Sequence, residues 1–238
     1  MSRPLISALL CVALLGAGCS TAFDPAQIPR DQDYLVLVKS ARLPGKFGPL
    51  VAQAHHAWFE LKDGSDARWE SLEVLASSPV QLTNVLRSDP LDFELDVLAT
   101  ERWEHPVHLL QVLSGADAKR AIGILRAEAA DYEAPDLYVA WPGPNSNTFV
   151  ERLLRRCPGL DAALHHNSIG KDWAWLRVGP SATGSGVELE TPLLGVQLGL
   201  EEGVELHVLQ LTFGIDLWPP ALELPFLPRL GFPQGGSW

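Results

Sequence analysis

The chain holds little of what redox or metal chemistry needs. It has three cysteines and one methionine in 238 residues. Cys11 sits in an N-terminal apolar run, Cys19 just after it and Cys157 alone far downstream, so no intrachain disulfide is expected. Basic residues are scarce, 18 against 29 acidic, for a net charge of −11. That balance excludes nucleic acid and anionic lipid headgroups as natural partners. No segment beyond the N-terminal run is apolar and uninterrupted enough to span a bilayer. No phosphate-cradling glycine loop, dinucleotide fingerprint, internal repeat or low-complexity tract occurs. The histidines do not gather into ligand spacing. His55-His56 and His165-His166 are adjacent pairs, whose neighbours point to opposite faces of a strand, and His105 and His108 lack a third partner. No metal and no cofactor is expected.

What is present begins with an address. Arg3 precedes the apolar run Leu5–Leu15, too short to cross a membrane, which needs about 20 residues. It reads as a secretory signal peptide over residues 1–18. The run ends Leu15-Gly16-Ala17-Gly18-Cys19-Ser20, which resembles the bacterial lipobox, with Gly16 where Leu is usual. The resemblance implies that Cys19 is lipidated and anchors the chain to a membrane without spanning it. Ser20 after the cysteine resembles the sorting signal for the outer membrane of the cell envelope, facing the periplasm. Residues 19–33 then read as a tether, 34–217 as one domain and 218–238 as a Pro-rich tail without regular structure.

Within the domain, Tyr34–Lys39, Ala54–Lys62, Trp69–Leu75 and Val107–Leu113 read as strands, with a turn at Asp63–Asp66. Leu91–Leu98 alternates apolar and acidic residues and reads as a further strand. Ala118, Ile122, Leu125 and Ala129 mark a helix from Asp117 to near Tyr132. Glu188–Leu200 and Val204–Phe213 read as two late strands. Strands flanking two main helices predict an α+β domain with a mostly antiparallel sheet.

The organising stretch is Leu137–Cys157, read as a short strand, a Pro-Gly-Pro loop, a knot of small polar residues and a helix. Pro142 and Pro144 exclude helix and ladder from the loop. Val150, Leu153, Leu154 and Cys157 form one apolar stripe, leaving Glu151, Arg152, Arg155 and Arg156 for the wet side. Cys157 then reads as a buried structural thiol.

PGPNSNTF at Pro142–Phe149, IGKDW at Ile169–Trp173, the HAW triplet at His56–Trp58 and FGID at Phe213–Asp216 resemble one bacterial family, catalogued as domain of unknown function 3750. The likeness runs from about His55 to Phe232 and implies no activity. More distantly the chain resembles the permuted papain-like superfamily of cell-wall amidases and lecithin:retinol acyltransferase relatives. That resemblance implies a His on an early strand (His56), a polar residue on the next (Glu73) and a nucleophile at a helix start. Ser146 stands where those enzymes carry Cys.

Two readings of these residues stand side by side. A serine hydroxyl is too weakly acidic to ionise, so it needs a base and an orienting group; Ser146, His56 and Glu73 would supply the set. Alternatively Ser146 or Asn147 is a helix N-cap, Thr148 and Glu151 form a capping box, His56 is a hydrogen-bonded strand residue and Glu73 is solvated. Trp58, Trp141, Asn145 and Asn147 are candidates to line a cleft for a cell-wall or lipid ligand, with Lys171 and Asp172 as an ion pair beside it. Aromatic core is the more usual role for Trp58 and Trp141.

Overall fold

The computed structural model of the chain describes residues 23–65, 68–76, 84–87, 89–134, 137–181 and 183–232. The expected signal peptide, Cys19 and residues 233–238 lie outside them. β1 (Tyr34–Arg42) runs through the middle of a first sheet and is buried along nearly its whole length. A strand covered on both faces reads as a continuous apolar run, as its Leu-Val-Leu-Val does. β2 (His55–Asp63) and β7 (His105–Ser114) flank it antiparallel. β3 (Trp69–Ala76), β4 (Asn84–Arg87) and β6 (Glu101–Arg102) complete the order β4-β3-β2-β1-β7-β6, and β5 (Pro90–Leu91) pairs with β3. α1 (Gly115–Ala130) and α2 (Ser146–Arg156) cover one face, where Val38, Phe59 and Val74 meet Ile122, Phe149 and Leu153. Each such buried side chain contributes about 1.5–3 kcal/mol. The fold is α+β, mostly antiparallel, with two main helices.

The second face of this sheet, with Leu35, Leu37, Trp58 and Val107, is closed by Phe23, Ile28 and Val97. Two expectations fail here. Residues from Phe23 on are packed rather than tether-like: Phe23 and Ile28 are 3% exposed, and the Phe23 N–H donates to the Val107 carbonyl. Leu91–Leu98 is not a strand. Its centre, Phe93–Val97, is a single helical turn. Asp92 accepts from the Leu95 N–H at 2.9 Å, and Asp96 accepts from the Asp92 N–H at 2.8 Å. Short acidic side chains bond nearby backbone and favour a cap over a ladder.

The C-terminal part forms a second sheet, an antiparallel meander in chain order from β8 (Arg177–Pro180) to β14 (Leu230–Gly231). Between them run β9 (Gly186–Glu190), β10 (Leu194–Gly199), β11 (Gly203–Val208), β12 (Leu211–Leu217) and β13 (Pro220–Glu223). Each late strand expected from the sequence therefore contains a turn. The tail expected to lack regular structure supplies β13 and β14. The alternation is inverted: Val196, Leu198, Val204, Leu206, Phe213 and Ile215 are exposed, while Glu188, Glu190, Gln197, Glu205 and His207 are buried. Of those inward polar groups Glu188 reaches α2, while Glu205 and His207 meet Lys171 and Asp172 in the loop after it. Arg155 donates to Glu188 through two bonds of 2.9 Å and to Glu151 at 2.7 Å. Glu151 is 5% exposed, so the side of α2 expected to be wet is partly buried against the second sheet.

Candidate functional site

The first sheet forks, and the site lies in the fork. β3 pairs with β2 only over Trp69–Leu72, then turns to pair with β4 over Glu73–Ala76. The edge of β2 released by that turn meets the start of α2. The Ala57 N–H donates to Asn147 Oδ1 at 3.2 Å, and Asn147 Nδ2 donates to the His55 carbonyl at 2.8 Å. A side-chain amide thus replaces the missing ladder bonds. Leu137–Ala140, expected as a short strand, is irregular; the Val139 N–H donates to the Pro144 carbonyl across the proline loop at 2.8 Å. The helix cap is Asn145. Its Oδ1 accepts from Asn147 N–H and Thr148 N–H, and Thr148 Oγ1 accepts from its N–H in return. The capping box is therefore Asn145–Thr148, not Thr148–Glu151, and Ser146 is left as the first helical residue.

Ser146, His56 and Glu73 come together. His56 Nδ1 lies 3.0 Å from Ser146 Oγ, and His56 Nε2 lies 2.7 Å from Glu73 Oε2. All three are buried, Ser146 to 6% exposure. Burial disfavours the charged Glu73 carboxylate, but His56 and Arg102 outweigh that and hold it down to about 2. Burial and the nearby Arg102 hold His56 below the ordinary histidine value, against the pull of Glu73. The set is then an ionised carboxylate and a neutral imidazole at neutral pH. An acceptor-only carboxylate at Nε2 requires the Nε2–H tautomer. Nδ1 is left with a lone pair toward the Ser146 hydroxyl, the arrangement of a general base.

Sequence reasoning missed two members of this group. Arg102 donates to both oxygens of Glu73 at 3.0 and 3.1 Å. Its guanidinium lies between Trp58 and Trp103, 4.3 and 4.4 Å from the ring centroids. Trp103 also rests 5.4 Å from His56 in the turn between β6 and β7, where Trp103 and Glu104 both take positive φ. Two-residue turns of that kind usually carry Asn-Gly, so a Trp there costs backbone energy. Tyr138 is the second: its hydroxyl is buried near Ser146, and burial raises its pKa. A lone Arg or Tyr carries no spacing signal; only the fork brings either to the triad.

A cavity of about 330 Å³ adjoins the group, lined by Trp58, Glu73, Arg102, Trp103, Lys39 and Glu60 among others. It borders the carboxylate end and not the hydroxyl. Of the remaining candidates Trp58 stays with the group, on Arg102, and the others do not line this cavity. Trp58 is 3% exposed and donates to Glu60. Trp141 is 51% exposed and its indole N–H donates to the Leu209 carbonyl. Asn145 and Asn147 are buried and committed to backbone bonds. Lys171 and Asp172 pair at 2.7 Å, but they face Glu205 and His207 of the second sheet rather than Ser146. Burial works against a charge on His207, yet Asp172, Glu190 and Glu205 outweigh it and raise its pKa to about 10. Cys157 is 1% exposed, and burial raises its pKa.

No curated protein and no solved structure matches the chain. Residues 34–173, which hold the whole first sheet, both helices and every member of the triad, match the family described as "Protein of unknown function (DUF3750)", and the chain belongs to that family.

Proposed function

We propose that the protein is a lipid-anchored cell-envelope hydrolase or acyltransferase that uses Ser146 as nucleophile on an amide or ester of the cell wall or its lipids. The observation that carries this is the unbroken chain Ser146 Oγ–His56–Glu73 with bonds of 3.0 and 2.7 Å. In the first step Ser146 Oγ bonds to the acyl carbon and its proton passes to His56 Nδ1. The imidazolium is stabilised by Glu73, itself held ionised by Arg102. Collapse breaks the bond to the leaving amine or alcohol, which takes the proton from Nδ1. Water, or a second acceptor, repeats the sequence to release the acyl group. The ring nitrogens serve in the opposite order to a chymotrypsin-type triad, where Nε2 faces the serine.

A second reading has its own observation. Asn145 occupies the Asn147 and Thr148 N–H groups that would otherwise form an oxyanion hole at the helix start. With Ser146 also buried, the cleft would bind an envelope ligand without turning it over, in a permuted papain-like arrangement that has lost its thiol. A fluorophosphonate probe separates the two. Labelling of the wild type that is lost in Ser146→Ala and His56→Ala supports the hydrolase. A folded wild type that stays unlabelled leaves the binding reading. The anchor is tested apart from both, by palmitate incorporation that Cys19→Ser abolishes.

A further inference from the structure

We propose that Asp172, Glu205 and His207 form a binding site for a divalent cation of the zinc class, separate from the serine site. Glu205 and His207 lie two apart on β11, so both project from its inner face. Asp172 reaches the same point from the loop after α2. One ligand atom from each lies within 4.8 Å of the others. His207 Nε2 is 2.9 Å from Glu205 Oε2 and 3.4 Å from Asp172 Oδ2. Ligands about 2.1 Å from a tetrahedral zinc are about 3.4 Å apart, close to the two distances from His207.

The support for His207 is that of a metal ligand. Its Nδ1 lies 2.7 Å from Glu190 Oε1 on β9, two strands away. That bond crosses β10 because the residue between them in the ladder, paired with both, is Gly195. A Cβ there would lie 1.7 Å from Glu190 Oε2. In the metal-free chain Nε2 also meets a carboxylate, that of Glu205, so a metal must displace the Nε2 proton; the Glu190 carboxylate on Nδ1 then fixes the tautomer that offers Nε2 to the ion. A second, independent observation is an unmet acceptor: Asp172 is 3% exposed, and its Oδ1 has no hydrogen-bond partner among the described residues. Entry is provided by a cavity of about 540 Å³ lined by Glu205, Lys171, Glu151, Asp216 and Glu223 among others. Lys171 lines the same cavity, its Nζ 2.7 Å from Asp172 and 3.6 Å from Glu205. It neutralises the acids in the metal-free chain and competes with a metal for them.

The test is titration of the chelator-treated protein with Zn²⁺ by calorimetry, and with Co²⁺ by absorption. One equivalent of Zn²⁺ is expected to bind, and Co²⁺ to give the strong visible bands of a four-coordinate site. Lys171→Met should tighten Zn²⁺ binding tenfold or more, and Glu205→Gln should weaken it by a similar factor. The cobalt spectrum of the wild type keeps the proposal testable if a variant does not fold. Absence of binding by wild type and Lys171→Met, or an affinity that Glu205→Gln leaves unchanged, overturns it and leaves a buried ion-pair network. Serine-probe labelling is unaffected by either result, so this proposal and the hydrolase reading fail separately.

Discussion

Asn147 stands beside Ala57 in the place of a strand: its Oδ1 accepts the Ala57 N–H while its Nδ2 donates to the carbonyls of His55 and Ile169, at 2.8 and 3.1 Å. The start of α2 is thereby fixed to the freed edge of β2, and Ser146, one residue earlier, is held against His56. Asn147→Ala leaves the buried Ala57 N–H and the His55 carbonyl short of partners, each costing about 1–3 kcal/mol, while the Ile169 carbonyl keeps the Asn145 amide. The urea midpoint should fall by the equivalent of about 2–4 kcal/mol. A variant as stable as wild type would show that the fork is held by packing alone.

The catalytic reading makes a pH prediction. His56 must be neutral to take the serine proton, and its pKa lies below the ordinary 6.5. Labelling of Ser146 should therefore persist below pH 6.5 and fail only at lower pH. Glu73→Gln removes the carboxylate that orients the ring and stabilises the imidazolium, so the labelling rate should drop by about 100-fold or more. A rate independent of Glu73, in a protein shown to be folded, would remove Glu73 from the mechanism.

A histidine cluster should make the fold sensitive to acid. His55 stacks on His165 at 4.1 Å, and His165 on His166 at 4.1 Å. Burial first, and neighbouring positive groups second, push His55 down to about 3 and His165 well below its ordinary value. A depressed histidine contributes stability above pH 6.5 that is lost as pH falls toward the folded value. The slope approaches about 1.4 kcal/mol per pH unit for each such group. Glu223 acts in the opposite sense: burial, Glu205 and Asp216 raise it to about 8, so it adds stability as pH falls from 8 to 4.5. The comparison that isolates the histidines is His165→Phe, which keeps a ring in the stack. It should flatten the loss between pH 6.5 and 4.5; an unchanged slope would assign acid lability elsewhere.

Lys39 and Glu60 form an ion pair of 2.8 Å on the inner strands, with Lys39 1% exposed. Lys39 also donates to the Val97 carbonyl at 2.6 Å, and Trp58 donates to Glu60. Lys39→Met alone strands a buried carboxylate and should cost about 3–5 kcal/mol. Adding Glu60→Gln should recover part of that loss, because the remaining amide carries no charge. A thermal-denaturation cycle in which the two changes simply add would show no coupling.

Ser146, His56 and Glu73 were grouped by the distant papain-like resemblance; local signals only placed them on two strands of a hairpin and a stripe-bearing helix. Their supports were not legible. Arg102 lies on the two-residue β6 and Tyr138 in an irregular stretch. Their roles depend on β3 leaving β2 at Leu72, a change of partner that no periodicity records. Leu91–Leu98 alternates like a strand, but its aspartates cap a turn instead. In the second sheet the alternation identified extended chain without saying which face is inside. Apolar alternate positions ordinarily face the core, yet here Arg155 of α2 meets Glu188, and Lys171 and Asp172 in the loop after it meet Glu205 and His207, on the inner face.

The sequence by itself determined the α+β class, the apolar stripe of α2 and the loop that delivers a hydroxyl to a helix start, because these follow from local periodicity and the backbone limits of proline. Only the tertiary structure decided which charges meet. The fork in the first sheet puts Glu73 and Arg102 behind His56, and the missing Cβ of Gly195 lets Glu190 reach His207. Such meetings depend on strand partners and close approaches between residues far apart in the chain, which local pattern does not encode.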